Sequence, residues 1–301
     1  MPAMQTHNPR LTIGCDHQYT DPTGAHIQYR CQGHPQGRAL LYFHGWPGSR
    51  LEADLMKDLA FTHGWMLIAP DRPGYGGSFS PRPLSLNDWA LLVGRLIAYL
   101  GLERFSLIGL SGGGPHACVV MAKLSNQLDR ACLVVPMGPL HCKDGFMKLH
   151  PFQRILARLT PSQSWLVRGV LHSIRPLPYY GPSLFLRLMA QGLLPEADRK
   201  VLDMPELRPL LCANMREGLS RGIEGMWQDG LRFVEDWHDL LASISCPVKI
   251  WHGYEDTIVP IEFGQHLATS IPSAEACWLE GEGHFSIPLQ HASSCFTFLD
   301  E

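Results

Sequence analysis

The stretch "SLIGLSGGGPHACVV", residues 106–120, decides how this chain is read. An apolar run, Ser106–Leu110, meets Ser111 and three glycines, and the small and apolar residues of a helix then resume. Three roles compete for such a turn: a loop that cradles phosphate, a plain strand-to-helix turn, and a platform for a nucleophile. A phosphate loop would need Lys and then Ser or Thr after Gly114, where the chain has Pro115 and His116, and the dinucleotide fingerprint would need glycine at Ser111. G-x-S-x-G is met by Gly109, Leu110, Ser111, Gly112 and Gly113. A serine held at such an elbow has strained backbone geometry, so the residues two before and two after it must be very small, and both are glycine. The Gly112 backbone N–H points where an oxyanion would form, and Pro115 near the helix start removes no needed hydrogen bond.

Outward from the elbow, short β-rich runs occur at 39–45, 65–71, 104–110, 130–136, 247–253 and 274–281. Most are nearly continuous in apolar residues, which suits strands covered on both faces, as in a parallel sheet. Helical stretches lie between them, such as "LNDWALLVGRLIAYLG", where Asn87 is the expected cap and Gly101 the expected stop. The alternation predicts a doubly wound α/β fold with a mostly parallel sheet. Upstream, "DPTG" between two alternating runs predicts an antiparallel hairpin at one sheet edge. From about residue 138 to 236 the alternation stops in favour of a run of helices. The expected organisation is therefore a core from 1–137 and 237–301 with a helical subdomain, 138–236, inserted.

Composition narrows the function classes. A net charge of −3 over 301 residues gives no reason to expect a nucleic-acid partner. Nine cysteines are scattered without a C-x-x-C pair, several inside apolar runs, which predicts a reduced, cytoplasmic protein. No window approaches eighteen apolar residues, so no membrane span is expected. Fifteen histidines are present, but no H-E-x-x-H or comparable pattern, so no metal is expected, and His252, His266 and His291 read as surface or packing residues.

A serine hydroxyl is a weak nucleophile that needs a base, and the base needs an orienting carboxylate. "WHGYEDTIVP" (251–260) and "LEGEGHFSIP" (279–288) each follow a late strand and supply these residue types. With "YFHGWPGSR" (42–50), "APDRPGYGGS" (69–78) and "IGLSGGGP" (108–115), they resemble the α/β-hydrolase-fold enzymes with a helical cap over nearly the whole chain. The resemblance implies the order Ser, acid, His along the chain, assigning Asp256 as the acid and His284 as the base. The family's G-x-x-D-x-x-V-P pattern is met by Gly253, Asp256, Val259 and Pro260, which leaves Glu255 out of register, and its G-x-x-H-F pattern by Gly281, His284 and Phe285.

"HGWPGS" resembles the family's oxyanion-hole turn, which implies the Trp46 N–H as a second donor beside Gly112 and a structural role for His44. The sequence leaves the peptide before Pro47 open between cis and trans. Asp71 and Arg72 are implied to belong to a structural loop. Asp229 is open between an anchor for the cap and a solvated face. The bulky residues Met137, Phe146, Trp165, Tyr179, Tyr180, Met189 and Trp227 are expected to be those the subdomain buries. The substrate pocket, between cap and core, is expected to include Trp46, Leu110, Met137 and Phe285.

These expectations add up to a serine hydrolase acting on a small apolar ester through an acyl-enzyme on Ser111, with no cofactor, as a monomer or homodimer. Epoxide hydrolases and haloalkane dehalogenases carry aspartate at the elbow, so Ser111 argues against both. Lactonases, C–C bond hydrolases and cofactor-free haloperoxidases or perhydrolases share the serine and stay open, as does a non-catalytic small-molecule receptor using the same pocket.

Overall fold

The computed structural model describes residues 8–180, 184 and 194–301. Its sheet contains β1 (Asp16–Thr20), β2 (His26–Gly33), β3 (Arg38–Phe43), β4 (Trp65–Pro70), β5 (Phe105–Leu110), β6 (Leu128–Val134), β7 (Val248–Gly253) and β8 (Ala274–Leu279). The spatial order is β1-β2-β4-β3-β5-β6-β7-β8. Only β2 runs against its neighbours, pairing antiparallel with β1 in the hairpin and with β4 inside the sheet. The remaining adjacent pairs are parallel.

The apolar runs of β4 and β5 are buried along their whole length because helices cover both faces. On one face pack α2 (Leu86–Leu100) and α3 (Gly114–Lys123), through Trp89, Val93, Ile97, Val119 and Val120. On the other lie α1 (Lys57–Thr62) and the C-terminal helix Ala292–Asp300, through Ala60, Phe296, Phe298 and Leu299. Each large apolar side chain so covered contributes roughly 1.5–3 kcal/mol. Helix α2 corrects one expectation: its cap is Ser85, not Asn87. The Ser85 hydroxyl accepts from the Asp88 N–H while the Asp88 carboxylate accepts from Ser85, a reciprocal box that begins the helix two residues earlier. Gly101 ends it in the left-handed conformation, as expected.

Chain direction places the site. From β3 the chain crosses to β4 on one side, and β5 returns to lie against β3 on the other. The carboxyl ends of β3 and β5 thus flank the point where the winding reverses, which is where open α/β sheets leave a crevice. The turn "HGWPGS" leaves β3 there, and Ser111 leaves β5.

Between β6 and β7 the insertion supplies α4 (Lys143–Lys148), α5 (Pro151–Leu159), α6 (Ser164–Ile174), α7 (Leu177–Tyr180), α8 (Glu196–Leu202), α9 (Leu207–Gly218) and α10 (Glu224–Phe233). Helices α5, α9 and α10 line the crevice, and the exposure of the insertion's bulky residues corrects another expectation. Met137 and Trp227 are buried and Phe146 is partly covered, but Trp165 is 73% exposed, Tyr179 38% and Tyr180 90%. The helices carrying these three rings bury one face each, and the rings fall on the solvent side. Met189 lies outside the described residues. After β7 come α11 (Ile261–Ser270), α12 (Ser286–Gln290) and the C-terminal helix, α13. Among the described residues no helix is long and apolar enough to cross a membrane.

Candidate active site

The elbow follows from covalent adjacency and crowding. Ser111 has φ +49°, a left-handed conformation unusual for a residue with a side chain. A methyl group on Gly109 would stand 2.6 Å from the Ala117 side chain, and one on Gly113 would stand 2.4 Å from the Phe43 carbonyl oxygen. Glycine at these positions lets β5, α3 and the end of β3 close around the serine. The Met137 N–H, just past β6, donates to the Ser111 carbonyl at 3.0 Å and braces the turn from the other side.

Ser111, His284 and Asp256 meet although 173 residues separate the first pair. The Ser111 hydroxyl donates to His284 Nε2 at 2.9 Å, and His284 Nδ1–H donates to Asp256 Oδ2 at 2.8 Å. All three are buried. The other carboxylate oxygen of Asp256 accepts the Ile258 and Val259 N–H groups at 2.9 and 2.8 Å, which fixes its rotamer. Burial would push the Asp256 carboxyl up, but the His284 and His252 imidazoles beside it hold it well below the usual carboxylate range. For His284 burial pulls down and the Asp256 carboxylate pulls up; the carboxylate wins, and the imidazole is raised above its ordinary value. Glu255, the rival acid, is exposed. His252 is fully buried and bonds the Val259 carbonyl at 2.8 Å, a packing role within reach of the same carboxylate.

The turn after β3 faces this line. A Cβ on Gly112 would lie 3.3 Å from the Trp46 nitrogen, so the two residues stand together over Ser111. Among the described residues the Trp46 backbone N–H has no hydrogen-bond acceptor. The Trp46–Pro47 peptide is cis. His44 Nε2 accepts the Arg72 N–H at 3.3 Å and Nδ1 donates to the Gly45 carbonyl at 2.9 Å, so the ring is neutral. Its burial, with Arg72 next to it, pushes its pKa well down, which suits a brace and not a base.

Four polar groups that hold these loops gave no decisive sequence signal. Glu52, buried next to the turn, accepts the Gly45 N–H at 2.6 Å, and burial raises its carboxyl. Asn214 of α9 accepts the Ser49 N–H at 2.7 Å and donates to Glu52 at 3.3 Å. Asp198 of α8 accepts three consecutive N–H groups, those of His284, Phe285 and Ser286, each at 2.8 Å. Burial pushes its carboxyl up despite those donors. Asp229 of α10, left open by the sequence, is an anchor: it pairs with Arg72 at 2.6 Å and accepts the Tyr75 hydroxyl at 2.8 Å. Arg72 in turn donates to the His44 and Gly45 carbonyls. Asp71 accepts the Arg50 N–H at 2.6 Å and its guanidinium at 2.7 Å, so both residues of that loop are structural.

Two cavities meet at Ser111. One, about 150 Å³, is lined by Trp46, Gly112, Met137, Leu156, Met226 and Trp227, and is nearly all apolar. The other, about 70 Å³, lies against Leu110, Glu52, Asn214, His284 and Phe285. The four residues expected in the pocket line one or both. A larger cleft of about 270 Å³ opens behind Arg72 and does not include Ser111.

A family profile described as the alpha/beta hydrolase fold matches residues 38–289. The chain belongs to that family. Among curated proteins, this hydrolase is 27% identical over 251 residues to a bifunctional esterase/perhydrolase of Acinetobacter calcoaceticus, covering 81% of this chain and 83% of that one. It is 28% identical over 249 residues to a non-heme chloroperoxidase of Streptomyces lividans, covering 80% and 82%. An esterase structure from Thermogutta terrifontis superposes with a TM-score of 0.67 at 22% identity, covering 95% and 96% of the two chains, a likeness of fold.

Proposed function

We propose that this hydrolase cleaves carboxylic esters with an apolar acyl group through an acyl-enzyme on Ser111. The single observation that carries the reading is the continuous line from Ser111 Oγ through His284 to Asp256, at 2.9 and 2.8 Å. His284 takes the serine proton as Oγ attacks the ester carbon, and returns it to the departing alkoxide. Asp256 holds the imidazole in the tautomer whose Nε2 faces serine and stabilises the imidazolium. The Gly112 and Trp46 N–H groups receive the tetrahedral oxyanion, the loss of one such donor costing on the order of 10²–10³ in turnover. Water activated by His284 then releases the acid. Residues 138–236 act as the cap, with the apolar cavity under α5 and α10 taking the acyl chain.

A second reading uses the same acyl-enzyme with hydrogen peroxide in place of water, giving a peracid and free serine. The two curated relatives, named as a perhydrolase and a chloroperoxidase, favour keeping it. The deciding experiment combines a fluorophosphonate probe with hydrolysis of p-nitrophenyl esters. The probe should label Ser111, and Ser111→Ala should lower kcat by on the order of 10⁶. Turnover that survives the substitution refutes the mechanism. Tight small-molecule binding with equally negligible turnover in both proteins would identify a receptor instead. Peracid formation upon peroxide addition separates the second reading from the first.

A further inference from the structure

Away from Ser111, three imidazoles converge where the helical insertion joins the core. His141 lies between β6 and α4, His238 opens the short turn His238–Ser243 after α10, and His266 sits on α11. One ring nitrogen of each lies within 4.8 Å of those of the other two. His266 Nε2 and His238 Nδ1 are 3.2 Å apart. Two imidazole nitrogens on a tetrahedral zinc, at bonds of about 2.0–2.1 Å, stand roughly 3.3 Å apart. His141 is exposed, so its ring is free to turn toward the other two. The Asp236 carboxylate stands 3.6 Å from His141 Nδ1, the kind of neighbour that orients a ligating imidazole and offsets cationic charge.

We propose that His141, His238 and His266 form a binding site for one divalent zinc ion, fastening both ends of the insertion to α11. The chemistry of the donors narrows the ion, since three imidazoles suit zinc, nickel or copper whereas magnesium and calcium require oxygen ligands, and the nitrogen spacing is that of tetrahedral zinc. The fourth position belongs to water or to Asp236. The ion plays no part in acyl transfer; it restrains the two strands of chain by which the cap is hung.

The test uses the full chain, stripped with a chelator and titrated calorimetrically with zinc chloride, alongside His238→Ala, His266→Ala and the double variant. The expected result is one zinc per wild-type chain and a zinc-dependent rise in Tm. Each single loss should weaken binding by more than the ten- to hundred-fold typical of losing a residue that only supports a ligand. The Tm of each variant without metal shows whether it still folds. Cobalt substitution should give d–d bands without thiolate-to-metal charge transfer. The absence of saturable binding, binding that survives in a folded double variant, or a thiolate band implicating the adjacent Cys142 or another cysteine would each overturn the site.

Discussion

At the residue scale, His284 shows how two opposed effects set one reactivity. Burial disfavours its cation, but the Asp256 carboxylate at 2.8 Å favours it more, and the imidazole titrates above its ordinary value. The sign for catalysis follows directly. His284 as the proposed general base must be neutral, so activity should be lost as pH falls through this raised pKa. The acid limb of kcat/KM on a neutral ester should lie above the value of about 6.5 expected for a free imidazole. Asp256→Asn should move that limb downward and lower kcat by on the order of 10⁴. A wild-type limb at or below about 6.5, read from p-nitrophenyl ester hydrolysis against pH, would contradict the assignment. Serine, aspartate and histidine were legible because each falls within a short motif on its own loop. The glycines beside Ser111 are covalent neighbours, so their steric reason is local.

At the scale of elements, three helices of the insertion each grip one loop of the candidate site. Asn214 of α9 holds Ser49, Asp229 of α10 holds the Arg72 loop, and Asp198 of α8 holds the segment carrying His284. Asp198 is the clearest positioning residue, because its two carboxylate oxygens serve three successive N–H groups across 86 residues of chain. Asp198→Ala should lower kcat by about 10²-fold, the scale on which a misplacement near 1 Å acts, while KM changes little. Asp198→Asn, which keeps one acceptor oxygen, should fall between alanine and wild type, and fluorophosphonate labelling should slow in the same order. An alanine variant with wild-type kcat would remove this role. None of this was legible, since an aspartate in "PEADRK" looks like any acidic residue in the first turn of a helix. The Ser85 box was missed for a different reason: two capping candidates two residues apart compete, and the reciprocal bond to Asp88 decides between them.

For the whole molecule, the inserted helices over a switch point leave two unlike cavities at Ser111. The apolar cavity of about 150 Å³ and the smaller, partly polar one of about 70 Å³ give an ester's two sides different surroundings. With the acyl chain in the apolar cavity, each added methylene should raise kcat/KM about four-fold, from about 0.8 kcal/mol per buried group, until the cavity is full. Leu156→Trp should move the optimum toward shorter acyl chains and leave the acetyl ester nearly unchanged. A flat chain-length profile in wild type, measured over graded p-nitrophenyl esters, would place the acyl group elsewhere.

By itself the sequence determined the alternation of strands and helices, the hairpin edge, the inserted helices, the strained serine turn and the order in which Ser111, Asp256 and His284 follow one another. These depend on periodicity, on turn residues and on steric needs a few positions long. Tertiary structure alone decided which polar residues of the inserted helices are anchors, which of their aromatic residues face outward, and that three distant histidines share one place. Those outcomes depend on the separation of groups tens to hundreds of residues apart, and a chain's linear order carries no measure of that distance until the sheet and its cap have closed.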